Sequence, residues 1–288
     1  MIIELIDPKK EAGRIVQGLE PDLEAEALRD LVVRTTSREP AVYVAAIDDK
    51  RVVGLVAFRR HQLDNANSGH VCAFQAAGVL TSSEYRGRGV FANIVRQSED
   101  FLLTQGGEMI FGFPNANAYP IWTKKLGYGK VPLFRWSAPA IFGLNGLMIR
   151  GGDKSISDAL FPDDEDMVAS KKSLHGGDVV AVAVGGSFAW GIKRFNRIRG
   201  LNISVLDIGG IRCRDGDDLK AVLARLVSDV GSVHGVRLVT TGSNPVLPFL
   251  RIAKLSPLTH EVVIYKWLKS GSSGTPPLAF YTGMADWF

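Results

Sequence analysis

The sequence is short of the features that most quickly assign a chain to a class. Only two cysteines, Cys72 and Cys213, occur in 288 residues. They lie far apart, so there is neither a zinc-type spacing nor a disulfide framework, and a reducing compartment is the expectation. No run approaches the roughly 18 consecutive apolar residues of a membrane span. The opening stretch MIIELIDPKKEAG meets charge too soon for a secretory signal. The expected location is therefore cytoplasmic, with no membrane partner. Net charge is only +4, and no Lys/Arg block is dense enough to argue for nucleic acid. Two common phosphate loops are missing as well. There is no Gly-Lys-Ser/Thr, and Ala92 stands where a third glycine would complete GxGxxG.

What is present suits one large or two small globular domains, at 46% hydrophobic and 22% charged. IIELI reads as a short strand, and Pro8 to about Arg34 as a helix with Leu23, Ala27, Leu28 and Leu31 at helical spacing. AVYVAAI and VVGLVAF, separated by Asp48-Asp49-Lys50-Arg51, read as a hairpin. VCAFQAAGVLT is a further strand. From Val90 the apolar positions 90, 91, 94, 95, 101 and 102 form a helical stripe, interrupted at Ser98 and ended by Gly106-Gly107. MIFGF is a short buried strand. Pro114-Asn115 then opens a helix to about Leu126, closed by Gly127, and another strand follows.

A glycine-rich link, GLNGLMIRGGDKS, leads to a second half with a similar order. DVVAVAV and NISVLDIGGI are strands, Leu219 to Val230 is a helical stripe, GVRLVTT is a strand, Asn244 opens a short helix and EVVIYKWL is a strand. Asn115 to Leu126 spans the same interval as Asn244 to Leu255, which points to duplication. Domains of 1–140 and 150–288 are expected. The second copy carries CRDGDDLK where the first carries YRGRGVFA, so it is not expected to bind the same anion.

The segment Arg86-Gly87-Arg88-Gly89 sits at the mouth of a helix. A helix start offers unpaired N–H groups and positive potential, glycines allow close approach, and arginines add charged donors. The same residues would also make an ordinary surface turn. Their surroundings are more specific. GVLTSSEYRGRGVFANIV and FGFPNANAYPIWTKKLGYGKV resemble the two motif regions of the GNAT superfamily of acyl-CoA-dependent N-acyltransferases, with the element order matching over roughly residues 1–136. The resemblance implies an α+β fold, a mixed and mostly antiparallel sheet flanked by helices, in two tandem similar domains. Acetyl-CoA is the implied co-substrate. It would lie where the strand ending at Val79, Leu80 and Thr81 splays from MIFGF. Arg86, Gly87, Arg88, Gly89 and Val90 would hold the pyrophosphate, and Asn115 would bond the pantetheine arm. The tail YTGMADWF and the tandem layout also resemble GNAT-like proteins encoded with bacterial polysaccharide genes, which suggests an amino sugar or another small-molecule amine as acceptor.

Acyl transfer to an amine needs a base, oxyanion donors and an acid for the leaving thiolate. In the family the acid is commonly a tyrosine of the Asn-led helix, but Trp122 stands at the usual position. Tyr119 is the candidate acid ahead of Tyr128. No carboxylate lies in VCAFQAAGVLT; Glu84, His70 and His61 are the nearby candidate bases, each expected on a solvated loop, and a water chain or capture of already neutral amine would serve in place of a side-chain base. FPDDEDM at 161–167 is read as an acidic loop, KRFNRIR at 193–199 as a basic helix face, and Asp207 as a strand-end carboxylate. The expected function is N-acyl transfer, with the second half helping to shape the acceptor cleft. A non-catalytic acyl-CoA sensor or scaffold and a tRNA-dependent aminoacyl transferase of tandem type are the alternatives.

Overall fold

The computed structural model describes residues 1–8, 10–19, 41–65, 69–139, 161–162, 168–169, 171–172, 176–198, 200–241, 244, 246–250, 256–269 and 276. In chain order the strands are β1 (Ile2–Ile6), β2 (Val42–Asp48), β3 (Arg51–Asn65), β4 (Gly69–Thr81), β5 (Met109–Gly112), β6 (Gly129–Pro139), β7 (Phe161–Pro162), β8 (Val179–Val184), β9 (Ser187–Ile198), β10 (Leu201–Arg212), β11 (Gly235–Thr241) and β12 (Ser256–Trp267). Among the described residues the longer α-helices are α1 (Ala12–Leu19), α2 (Val90–Thr104) and α3 (Gly216–Val230). Residues 20–34 of the expected first helix, the glycine-rich link and the acidic loop beyond Pro162 lie outside the described residues.

The chain forms two compact units that are not consecutive pieces of sequence. The first takes residues 1–62, 71–130 and 263–274, and the second 63–70, 131–262 and 275–288. A division at 140–150 would leave β6 with the first half. Instead, residues 133–139 of β6 pair antiparallel with β11, from Leu133 opposite Thr241 to Pro139 opposite Gly235. The end of β12 pairs antiparallel with β5 in the first unit, from Ile264 opposite Gly112 to Trp267 opposite Met109. Backbone pairing, not proximity in sequence, sets this allocation, because each buried strand edge must find a partner.

In the first unit the β2–β3 hairpin turns on Asp49 and Lys50, both at positive φ, as a two-residue reversal that matches strand twist requires. Helix α1 lays Ile15 and Leu19 against Tyr43, Ala45, Ile47, Val52, Leu55 and Ala57. Gly54 precedes Leu55 and so faces the other way. A Cβ there would stand 2.8 Å from Val90 Cγ1 and 3.0 Å from Ile94 Cδ1, so this glycine lets α2 lie close on that face. Ser98, the polar gap in the α2 stripe, is buried and returns its hydroxyl to the Ile94 carbonyl at 2.7 Å. β4 and β5 run parallel on either side of the α2 crossover.

The second unit repeats this plan. β8, β9 and β10 are antiparallel neighbours, and β10 runs parallel to β11 across the α3 crossover. Leu219, Val222, Leu223 and Leu226 of α3 pack on Leu206, Ile208, Val236 and Leu238. One expectation is overturned here: KRFNRIR is not a helix face, because through Ile198 it is the outer part of β9, paired with β10. Lys193 donates to the Val230 carbonyl at 3.5 Å, and Arg194 pairs with Asp207 at 3.1 Å. Asp207 also receives both prongs of Arg237 at 2.6 Å each, so it is the centre of a cross-strand charge cluster.

Candidate functional site

The site grows from the way β4 outruns β5. Their parallel pairing extends only from Ala73 opposite Met109 to Ala76 opposite Gly112. β4 continues to Thr81, and it still has β3 on its other side, where Ser82 N donates to the Val53 carbonyl at 3.0 Å. Residues 76–81 are all half-buried, unlike the buried run 72–75. Gly78 holds φ +56 within the strand, a value that a β-branched residue resists. Val79, Leu80 and Thr81 therefore lie on a bent strand end that has passed the end of its parallel neighbour.

Thr81 leads into a 3-10 turn, Ser83–Tyr85, and then the Arg86–Gly89 loop. Gly87 and Gly89 hold φ of +77 and +78, and a Cβ on either would meet nothing within 4 Å. Gly89 is the N-cap of α2, and no side chain caps the helix. The first intrahelical bond runs from Asn93 N to Gly89 O at 3.0 Å. The N–H groups of the first turn thus have no acceptor within the helix. Arg86, Gly87 and Arg88, which lead into that turn, are exposed.

The loop is braced from behind. Arg86 Nε donates to the Thr81 carbonyl at 3.2 Å, and the Arg88 guanidinium lies 5.1 Å from the centre of the Tyr85 ring. Tyr85 donates its hydroxyl to Asp48 at 2.8 Å, and Asp48 also pairs with the Met1 ammonium at 3.1 Å. The Tyr85 hydrogen bond, with help from that ammonium, holds the Asp48 carboxyl below its ordinary value. The same bond raises the Tyr85 phenol. A tyrosine absent from the sequence-based candidates is thus the pin that ties the loop to the β2–β3 turn.

Helix α3 begins differently. Its N-cap Asp215 accepts from Asp217 N at 3.0 Å and Asp218 N at 2.9 Å. A carboxylate of the chain already occupies the position that an anion would take. Arg214 is committed to Asp218 at 2.6 Å. Burial, followed by the charges of Asp218 and Asp215, pushes the Cys213 thiol up to about 12.

Asn115 does not start a regular helix. Its Oδ1 accepts from Asn117 N and Ala118 N, and a turn leads to a π-helical segment, Ile121–Lys125, closed by Leu126 N to Ile121 O at 3.0 Å. Pro120 has no N–H to give, and the ladder widens just beyond it. Gly127, at φ +73, ends the segment as expected. The exposed Asn115 keeps its Nδ2 group for another partner, since none is found among the described residues.

The two tyrosines separate clearly. Tyr128 is buried against Trp122 with ring centres 4.6 Å apart, and it donates to Glu99 at 3.0 Å. Burial first, then the Glu99 charge, raises its phenol well above the ordinary value. Trp122 is a core residue, 2% exposed, with an edge contact to Phe91 at 5.1 Å. Tyr119 is half-buried, and its hydroxyl accepts from the Lys130 ammonium at 3.2 Å.

Of the candidate bases, Glu84 and His70 are exposed. His61 is not on a solvated loop. It lies on β3, which runs well past VVGLVAF, and it is 9% exposed. Its Nε2 is 3.0 Å from Gln75 Oε1 on β4. Among the described residues no cluster of His, Cys, Asp and Glu could hold a metal ion, and no helix is long and apolar enough to cross a membrane.

Comparison with known proteins covers both levels. The family model described as the acetyltransferase (GNAT) family matches residues 8–128. No curated protein matches the sequence. A GCN5-related N-acetyltransferase from Kribbella flavida is similar in fold, at TM-score 0.60 and 16% identity over 92% of this chain and 71% of that one. A GCN5-related N-acetyltransferase from Anabaena variabilis gives TM-score 0.58 and 11% identity over 93% and 73%. Eis1 from Mycobacterium abscessus gives 0.57 and 10% over 93% and 74%. Coverage of nearly the whole chain by these folds includes the second unit.

Proposed function

We propose, from the match of residues 8–128 to the GNAT acetyltransferase family, that the first unit binds an acyl-CoA, acetyl-CoA in the simplest case, and transfers the acyl group to a primary amine of a small molecule. The observation that carries this reading is the parting of β4 from β5 beyond Ala76 and Gly112, followed at once by an uncapped glycine-rich helix start. A strand end with unclaimed backbone groups suits an amide-bearing arm, and the helix start suits a pyrophosphate. Val79, Leu80 and Thr81 would pair with the pantetheine, Arg86 to Val90 would cradle the pyrophosphate, and Asn115 would donate through its amide. An amino sugar fits the acceptor class as well as any other small amine.

Tyr119 is the proposed acid for the departing thiolate. Its half-exposed hydroxyl is oriented by the Lys130 ammonium, whereas the Tyr128 hydroxyl is consumed by Glu99 in the core. Asp215 supports a single donor site per chain, because the second unit fills its own helix start.

Calorimetric titration of acetyl-CoA into wild type and into the Arg86→Ala/Arg88→Ala double variant tests the reading. The expected outcome is one site per chain, weakened in the variant by about 1.5–3 kcal/mol, as for lost hydrogen bonds to charged groups. No binding to wild type would sink the proposal. Binding without acylation of any amine, and with no effect of Tyr119→Phe, would instead make the chain an acyl-CoA sensor.

A further inference from the structure

The proposed reaction makes no use of the basic run in β9, and the pairing of that strand sets it apart. Among the described residues β8 accompanies β9 only as far as Ile192, opposite Val179. β11 accompanies β10 only from Val205, opposite Gly235. Past those points β9 and β10 continue together as a lone two-stranded ribbon, with Phe195 opposite Ser204 and Ile198 opposite Leu201. From Ile192 to Ile198 the ribbon spans about 20 Å at the usual rise per residue. Ser204 ties its base to the rest of the unit, donating its N–H to His234 Nδ1 at 3.1 Å. Two strands without a covering layer are marginal in water.

The chemistry of the ribbon is as distinctive as its shape. Phe195 and Leu201 are each 68% exposed. By strand alternation Phe195 shares a face with Ser204, whereas Leu201, three residues before Ser204, lies on the other face. Lys193 and Arg197 share the face of Phe195, and the Lys193 ammonium lies 5.7 Å from the Phe195 ring centre. Arg194 shares the face of Leu201. In sequence, residues 193–204 carry Lys193, Arg194, Arg197 and Arg199 and no acid; Arg199 lies outside the described residues. At the base of the ribbon Asp207 is shared by Arg194 and Arg237, so that cluster keeps a net positive charge. Each face therefore offers one exposed apolar side chain beside cations. An extended polymer lies along one face of a ribbon. The same pairing on both faces suits a tip that enters a layer end-on.

We propose that the tip of the β9–β10 hairpin docks on the surface of a lipid bilayer that contains anionic phospholipid. Phe195 and Leu201 enter the boundary between headgroups and acyl chains, and the basic side chains extend along the ribbon to the lipid phosphates. Backbone chemistry limits the depth. The outer edges of the ribbon carry N–H and C=O groups that the wet headgroup layer satisfies and hydrocarbon does not. Each basic residue near such a surface strengthens partition about five-fold. The contact is peripheral and needs no spanning segment. It departs from the expectation of no membrane partner, and it is independent of the acyltransferase reading.

The test uses the full chain and vesicles either of phosphatidylcholine alone or of equal parts phosphatidylcholine and phosphatidylglycerol, with bound protein read by co-sedimentation. The proposal expects binding to the anionic vesicles, little to the neutral ones, and a fall with added salt. Phe195→Ser/Leu201→Ser and, separately, Arg197→Glu should each lower partition by about 10-fold or more. All three side chains are exposed, so these variants leave the core intact. Leu103→Ser, which removes a leucine 44% exposed on α2, should bind as wild type does. Absence of wild-type binding to anionic vesicles overturns the proposal, as does binding that neither hairpin variant weakens. Binding lost in Arg197→Glu but kept in Phe195→Ser/Leu201→Ser overturns insertion, because adsorption by charge alone needs no apolar tip. Equal binding to both kinds of vesicle overturns the role of anionic lipid. Retention of a single-stranded oligonucleotide through the same residues, with no vesicle binding, makes the hairpin a nucleic-acid contact and overturns the lipid assignment.

Discussion

Replacing Gly89 by alanine isolates the contribution of loop backbone geometry. The residue holds φ +78, and a Cβ there meets nothing within 4 Å, so no steric clash adds to the conformational cost. An L-residue in the left-handed region costs about 1–2 kcal/mol. If the native loop absorbs that strain unchanged, a urea midpoint assigned to the first unit should fall by the corresponding amount and acetyl-CoA affinity should stay constant. If the loop relaxes instead, the N–H groups of the first turn rotate away from the ligand, stability falls less and affinity falls more. The two losses together should account for roughly the strain, and 1.4 kcal/mol of it expressed in binding is a tenfold rise in Kd. Gly13→Ala is the matched control. Gly13 lies exposed in α1 with open space and no positive φ. Alanine there should stabilise by about 0.5–1 kcal/mol through helix propensity alone and leave binding unchanged. Gly89→Ala that behaves like Gly13→Ala in both assays would refute the left-handed N-cap and the cradle built on it.

Two further outcomes follow from the same loop and its counterpart. Asp48 is held below its ordinary value and Tyr85 above its own. Their mutual stabilisation should be complete between about pH 4 and pH 10. It should fade in acid as Asp48 protonates through its lowered folded value, and in base as Tyr85 ionises through its raised one. Asp48→Asn should remove the acid limb, read as the pH dependence of the urea midpoint; an unchanged limb would refute the linkage. Asp215→Ala, which strips the α3 cap, should cost about 1 kcal/mol in the second unit without altering acetyl-CoA stoichiometry. A second binding event in that variant would show that the carboxylate alone had been blocking a latent site.

Local features were legible in the sequence wherever a short-range rule set the structure. The hairpin at Asp49-Lys50, the α2 stripe with its Gly106-Gly107 stop, and the strand–helix–strand order of both halves all rest on periodicity and turn chemistry. Composition misleads where tertiary contacts override it. β9 was obscured by Lys193, Arg194 and Arg197, whose charges suggested a solvated helix, although pairing with β10 and the Asp207 cluster accommodates them in a strand. The polar run Arg59-Arg60-His61-Gln62 carries no strand signal at the far end of β3, although His61 is buried there and hydrogen-bonded to Gln75 on β4. The π-helical turn after Pro120 has no periodic signature at that length. No local rule in the sequence marks Tyr85, because its partner Asp48 lies on a different turn, 37 residues away.

The pairing of β5 with the end of β12 has a consequence for how the molecule is made. Met109–Gly112 leaves the ribosome about 150 residues before Ile264–Trp267, which will form its antiparallel neighbour. At an elongation rate of about 5–20 residues per second, β5 must wait for many seconds with one edge unpaired, and an unpaired buried-type edge invites wrong strands. All four residues of β5 are buried in the finished unit, which sharpens the hazard. A fragment cut after residue 140 would carry that vacancy permanently and would aggregate or borrow a strand from a second copy.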